Sequence, residues 1–499
     1  MLFNKSPKIV LVYPYIGGVP GLGLGYLAAY LRERMPVDVK ILQRKFFPSL
    51  AEAILKEEPD MVGYFALTTG LNQVFELIEK VAENRPGTIQ IMGGPHITAM
   101  PQSLPLKAAA GVIDEGEETF LQLVEIFKTY GKLPSSELAK VLGIVFYDNG
   151  RLVKTGNRPA VMDLDSLPKP ARDLLNIKGY FSGQIIRAFP TKIYRSASVM
   201  TSRGCPFRCV FCQSGMYGPK FRFHSAGRVI EEIEELIEKY NCDHVQILDD
   251  QFLCNKPRLR EIVRGIKSRG LDKKAAFFCY IRAVQLDEEV AGLLKEMNTN
   301  LVFIGFESNS DKILKYLKDN TCSAAANQRA YDLCRKYKMH VYGAFIFGSP
   351  EETMADMEET YRFMKKNPMA LCEVSRLTPL PGSGIWDYAL KKGVVSSNMN
   401  LEDLKVRVRD DTLEQVWLAE KVTKEDFLKF FNEKLRPLTW RYLQTANNFK
   451  ITDLFQPGLI KLFLKNPKFY VSVFKRSLES VFYQFPPKAD PPRAEKIKN

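Results

Sequence analysis

Three of the chain's nine cysteines, Cys205, Cys209 and Cys212, fall within S-R-G-C-P-F-R-C-V-F-C-Q-S-G at residues 202–215. In a reducing compartment, where disulfides are rare, thiols this close read as metal ligands. Structural zinc wants four ligands, usually two C-x2-C pairs or cysteine with histidine. Here the spacing is three then two, the next cysteine is Cys242, and no partner pair follows. A four-iron cluster also usually takes four thiolates. Three leave one iron open, and an open iron can bind a substrate. Cys242, Cys254, Cys279, Cys322, Cys334 and Cys372 form no further C-x2-C pair, so no second cluster is expected and most read as small buried hydrophobes. Cys372, just before the last predicted strand, is the one that could face the site.

The elements around the cysteines place other reactive side chains at strand ends. S-A-S-V-M-T-S-R (196–203) reads as a short strand entering the loop, and V-I-E-E-I-E-E-L-I-E-K-Y (229–240) as a helix leading to H-V-Q-I-L-D-D (244–250). That strand closes on Asp249 and Asp250. The next two, A-A-F-F-C-Y-I-R (275–282) and L-V-F-I-G-F-E-S (301–308), close on Arg282 and Glu307. H-V-Y-G-A-F-I-F-G-S-P-E-E-T (340–353) and E-V-S-R-L-T-P-L-P-G-S (373–383) complete six strand-helix units. Such a set builds a partial barrel, whose chemistry gathers at the carboxyl ends of its strands.

The N-terminal third alternates strands and helices: strands at 8–15, 37–42, 60–67 and 88–96, helices at 24–34, 50–58 and 72–84. This argues a doubly wound parallel sheet with ligands at its carboxyl edge. That edge carries Gly17 to Gly25, Thr68-Thr69-Gly70 and Gly93-Gly94-Pro95-His96. A nicotinamide fold is disfavoured, because G-L-G-L-G-Y puts Tyr26 where the third glycine belongs and the second strand ends in Gln43-Arg44. Plain turn glycines on a doubly wound sheet remain the competing reading.

Two resemblances join these halves. C-x3-C-x2-C after a first barrel strand, with Phe211 before the last cysteine, resembles the defining motif of the radical S-adenosylmethionine (SAM) superfamily. The ordered set P-G-L-G-L-G-Y-L-A-A-Y-L, E-P-D-M-V-G, I-M-G-G-P-H and I-D-E-G-E-E-T-F (113–120) resembles the cobalamin-binding domain of one class of these enzymes. The resemblance implies a four-iron cluster on Cys205, Cys209 and Cys212 whose open iron chelates SAM. It implies SAM contacts from Phe211, Asp249 or Asp250, Arg282, Glu307, Gly343 and Gly348; a helix cap for the other aspartate and a salt bridge for Arg282 compete. It implies cobalamin contacts from Tyr15, Gly17, Gly18, Thr68, Thr69, Gly93, Gly94, His96, Glu115 and Gly116. The family loop that ligates cobalt from below with Asp-x-His-x-x-Gly is replaced here by Tyr13-Pro14-Tyr15-Ile16-Gly17-Gly18. No histidine is expected under the metal, and His96 reads as a hydrogen-bonding loop residue.

The implied activity is methyl transfer to an unactivated carbon, with cyclisation or ring contraction as the enzymatic alternative and a cobalamin carrier or sensor as the non-enzymatic one. The expected domains are a cobalamin-binding unit at 1–135, a linker at 136–190, the barrel at 191–392 and a helical region at 393–499 ending in a disordered tail. The net charge of +14 is spread without a basic run or a nucleic-acid motif, so no nucleic-acid partner is expected. No stretch nears the roughly 20 apolar residues that span a bilayer, and the expected location is the cytoplasm. Helices are expected at 425–435 and 440–446. At 469–485, Tyr470, Phe474, Leu478, Val481 and Phe485 align on one helical face beside Lys461, Lys465, Lys468, Lys475 and Arg476. This face either closes the open side of the barrel or lies on an anionic membrane. The expected partners are an electron donor such as flavodoxin or ferredoxin and a small-molecule or lipid substrate.

Overall fold

Runs such as K-I-V-L-V-Y and M-V-G-Y-F are buried along almost their whole length, as parallel strands covered on both faces must be. In the computed structural model, which describes residues 6–181, 194–217, 221–404 and 416–446, these runs build a seven-stranded sheet. Its strands are β1 (Lys8–Tyr13), β2 (Asp38–Gln43), β3 (Met61–Phe65), β4 (Ile89–Gly93), β5 (Ala110–Val112), β6 (Ile144–Asp148) and β7 (Arg151–Lys154), in the order β2-β1-β3-β4-β5-β6-β7. The first five are parallel. Helices Leu22–Arg34 and Glu117–Tyr130 share one core with Ile9, Leu11 and Ile91, while Leu50–Glu57 and Leu71–Asn84 share another with Val10, Val62 and Met92. The sheet is therefore wound on both faces, as expected.

The stretch expected to be a linker is, over its described residues 136–181, built into the body. Strands β6 and β7 form an antiparallel hairpin on the sheet edge. Farther along, Leu164, Leu167, Leu175, Ile177 and Tyr180 are all buried. The prolines and charges of 136–190 conceal a sparse apolar set that straps the two halves together. Gly25 shows the consequence: a Cβ there would lie 2.9 Å from Leu175 Cδ1, and its carbonyl accepts from Ala171 N. This glycine of G-L-G-L-G is required by packing.

The second sheet contains β8 (Ser196–Val199), β11 (His244–Ile247), β12 (Ala276–Ile281), β13 (Thr299–Glu307), β14 (His340–Phe347) and β15 (Leu371–Arg376). All neighbours are parallel and in chain order, which makes an open six-stranded arc. Between the first two lie β9 (Ser202–Arg203) and β10 (Arg222–Phe223), an antiparallel ribbon at the neck of the cysteine loop. Along the arc Phe277, Cys279, Val302, Ile304, Phe345 and Phe347 pack on the helix side. Alternate residues Phe278, Tyr280, Leu301, Phe303, Tyr342 and Leu371 form a separate cluster on the other face. Cys372 packs with the helix-side core, so strand alternation turns it away from the interior. The two helices expected near the C-terminus merge: Lys424–Phe430 continues through a π-turn at Phe431–Leu435 into Arg436–Ala446. The face at 469–485 lies outside the described residues. Among the described residues no helix is long and apolar enough to cross a membrane.

Candidate active site at the facing strand ends

The cysteine loop leaves β8 and is pinned by its own backbone. Val210 N donates to Leu317 O at 3.0 Å, Ile385 N donates to Val210 O at 2.8 Å, and Cys212 N donates to Cys209 O at 3.0 Å. Gln213 Nε2 adds a bond to Pro381 O, and Phe211 packs on the adjoining core. All three thiols are free and partly exposed. Burial pushes Cys205 up to about 11. Burial also raises Cys209, opposed by the positive charges of Arg282 and Lys318. Among the described residues no three His, Cys, Asp or Glu side chains converge on a single metal ion.

The paired acids after β11 have different fates. Asp249 is 1% exposed and accepts from Thr201 N, Thr201 Oγ1 and Ser202 Oγ, which ties the top of β8 to β11. Its carboxylate is spent on the fold. Among the described residues Asp250 accepts from Ser214 Oγ alone, at 2.8 Å, in the cysteine loop, and desolvation raises its pKa. Of the two, Asp250 is the acid available to a ligand's ammonium group.

Arg282, expected to take a SAM carboxylate, is occupied differently. Its Nη1 lies 3.0 Å from Cys209 Sγ, Nη2 donates to Thr321 Oγ1 and reaches Cys322 Sγ at 3.6 Å, and the guanidinium stacks 3.9 Å over Phe207. Glu307 stands where β13 shifts register, at φ +63°, and pairs with buried Lys318 at 3.2 Å. Gly343 faces the helix side: a Cβ there would lie 2.3 Å from Met369 Sδ, so its role is packing. Gly348, at φ +93°, turns the chain against the Trp417 ring, and with Ser349 donates its N–H to Glu352 Oε2. Burial raises Glu352 to about 7. Lys318, Thr321 and Trp417 escaped sequence reasoning. The usable signal was a lysine on the apolar face of helix Asp311–Lys318, whose Leu314 lies four residues before it.

On the first sheet the carboxyl ends of β1, β3 and β4 lie side by side. Tyr15 is locked by its hydroxyl, which accepts from Leu67 N at 2.6 Å, and by ring contacts with Tyr13 and Phe65. The backbone beyond is open: a Cβ at Gly18 would meet nothing within 4 Å, and one at Gly93 only Val112 at 3.8 Å. A Cβ at Gly17 would touch the Tyr13 hydroxyl at 3.5 Å, and Gly94 sits at φ +103° over Ala66. Thr69 is exposed, while Thr68 is buried with its hydroxyl 3.1 Å from His96 Nδ1. His96 Nε2 meets Ser103 Oγ at 2.9 Å, so both ring nitrogens are engaged. Burial holds the ring down to about 4, hence neutral. Glu115 corrects its assignment, because both its oxygens are committed to Arg203, Arg222 and Val161 N. Gly116 serves as the cap of helix Glu117–Tyr130, against Leu27.

Comparison with known proteins now bears on these two edges. The family model described as the radical SAM superfamily matches residues 199–364, and the one described as a B12 binding domain matches residues 10–124. An uncharacterized methyltransferase of Pyrococcus horikoshii is 33% identical over 456 residues, covering 87% of this chain and 94% of that protein. The chain belongs to the radical SAM superfamily, in its cobalamin-binding class. An anaerobic magnesium-protoporphyrin IX monomethyl ester cyclase of Cereibacter sphaeroides is 26% identical, over 75% of this chain and 62% of that protein. Among solved structures, the radical SAM methyltransferase TsrM of Kitasatospora setae, with cobalamin and a [4Fe-4S] cluster bound, has the same fold: TM-score 0.66, 16% identity, 90% of each chain.

The residues present suit both cofactors of this radical SAM class. Three unpaired thiols on a pinned loop, with cations beside Cys209, match a cluster that needs thiolates. The open glycine edge beside Thr68 and Thr69 matches a bulky ligand carrying amides. None of the four histidines lies in the Tyr13–Gly18 loop.

Proposed function

We propose that the protein transfers a methyl group from SAM to an unactivated carbon of a small organic substrate. One observation carries this reading: the carboxyl ends of the two sheets meet. Glu115 and Glu117, beyond β5, bind Arg203, two residues ahead of Cys205, and a Cβ at Gly382, beyond β15, would lie 3.0 Å from Ala99 Cβ. A cluster and a cobalamin at these edges would share one cleft, which is what passing a substrate between radical formation and methyl delivery requires. When bound, they supply one-electron chemistry and methyl carriage.

The chain's own residues hold and orient. Cys205, Cys209 and Cys212 hold the cluster, Asp250 takes the SAM ammonium, Glu307 its ribose and the Gly348 turn its adenine. Thr68, Thr69, Gly93, Gly94 and the Tyr15–Gly18 loop cradle the corrin side. We place the end of the cobalamin-binding unit after β7. A flavodoxin or ferredoxin suits the reductant role, since an acidic donor complements a chain of net charge +14. The test is anaerobic turnover with methyl-labelled SAM. Methylation yields S-adenosylhomocysteine together with 5'-deoxyadenosine and labelled product, whereas 5'-deoxyadenosine alone would sink it and favour the ring-forming chemistry named for the cyclase relative. A lipid substrate and membrane contact rest on the basic C-terminal stretch. Liposome flotation that is unchanged by deleting residues 459–499 removes that support.

A further inference from the structure

The cysteine loop is closed at its neck by a ribbon of two residues per strand, in which Arg203 stands directly opposite Arg222. Like charges directly opposite each other destabilise a strand pair. Both guanidiniums are largely buried, with side chains 14% and 8% exposed, so water screens little of the repulsion. Left alone, this charge pair would weaken the neck.

The charges that close it come from the other half of the molecule. Glu115 Oε1 accepts from Arg203 Nη1 at 3.1 Å and from Arg222 Nη2 at 2.9 Å, and Oε2 accepts from Arg222 Nη1 at 2.9 Å. Glu117 Oε1 accepts from Arg203 Nη2 at 2.6 Å. Val161, in the strap, offers its carbonyl to Arg222 Nη1 and its N–H to Glu115 Oε2. Burial would lower the Arg203 pKa, yet Glu117 and Glu115 raise it, and the two arginines outweigh burial to hold Glu115 low. The four side chains therefore form one charged, hydrogen-bonded lattice across the two domains.

We propose that Glu115 and Glu117 are positioning residues for the cluster loop: docking of the cobalamin-binding domain neutralises the paired arginines, and the loop keeps its iron only while docked. The inference rests on assigning the cluster to Cys205, Cys209 and Cys212.

The full chain is reconstituted with iron and sulfide without oxygen, and the rate of iron loss to a chelator is followed with cobalamin affinity and Tm. The double variant E115Q/E117Q loses iron at least tenfold faster than the parent, while cobalamin affinity stays within about twofold. Adding R203Q to that variant removes one of the opposed charges and slows the loss again, a rescue that a purely steric role would not produce. Unchanged iron loss in E115Q/E117Q, or no recovery on adding R203Q, overturns the proposal. A cluster that persists when all three cysteines are replaced by alanine overturns instead the assignment on which it rests.

Discussion

The contact of Arg282 with Cys209 makes a quantitative prediction about the cluster. A cation that donates a hydrogen bond to a cluster thiolate favours the reduced, more negative state, so it raises the reduction potential. A hydrogen bond to a charged group contributes about 1.5–3 kcal/mol. If all of it is differential between the two redox states, the ceiling is about 60–130 mV for one electron. Geometry supports the upper half of that range, because the 3.0 Å contact is reinforced by Thr321 and by the Phe207 ring, so the guanidinium has little freedom to withdraw. R282M should lower the midpoint potential by up to about 130 mV. R282K, which keeps the charge without the fork, should fall between the two. The assay is a redox titration of the reconstituted cluster by paramagnetic resonance, alongside SAM affinity of the oxidised protein. A potential unchanged in R282M, with SAM affinity falling instead, would show that Arg282 leaves Cys209 to take the substrate carboxylate and would refute the reasoning.

Asp249 and Asp250 should separate cleanly: D249N costs about 2–4 kcal/mol of stability by urea unfolding, because an amide in place of one acceptor oxygen strands buried donors of Thr201 and Ser202, whereas D250N leaves unfolding nearly unchanged and weakens SAM binding about tenfold or more. Equal effects of the two on stability would contradict the division. Burial holds His96 at about 4 against 6.5 for an unperturbed ring, so between those values the unfolded chain binds the extra proton. Stability should therefore be full above about pH 6.5 and fall toward pH 4 by as much as about 3 kcal/mol. Urea unfolding of H96Q should show a flatter slope in that window, and a parallel slope would refute it. Arg172 and Glu232 form a pair with side chains only 2% exposed, Arg172 also donating to Ser198 O. E232A should destabilise by about 3–5 kcal/mol, because it strands a buried guanidinium. A loss under about 1 kcal/mol would show that water solvates the stranded guanidinium.

Much of the fold was legible in the sequence because strands covered on both faces read as near-continuous apolar runs and amphipathic helices repeat at 3.6 residues. Those patterns are local, and they placed β1 to β4 and the six strands of the second sheet to within a few residues, while the edge strands β5, β6 and β7 were missed. The linker was misread for the same reason: its few buried side chains, Leu164, Leu167, Leu175, Ile177 and Tyr180, follow no period. The cysteine spacing of three then two was equally local, since the open iron it implies depends on counting ligands along the chain.

What a side chain does with its charge is not local. Asp249 and Asp250 are adjacent and identical in type, yet one is consumed by Thr201 and Ser202 while the other meets Ser214, because neighbouring residues at a strand end point in different directions. Glu115 lies 88 residues from Arg203, and only the docking of the two sheets brings them to 3.1 Å. From the sequence alone come the chemistry available, the number of thiols and the order of the elements. Tertiary structure decided which acids, arginines and glycines are already spent on the fold and which are left for a ligand, because that depends on partners distant along the chain.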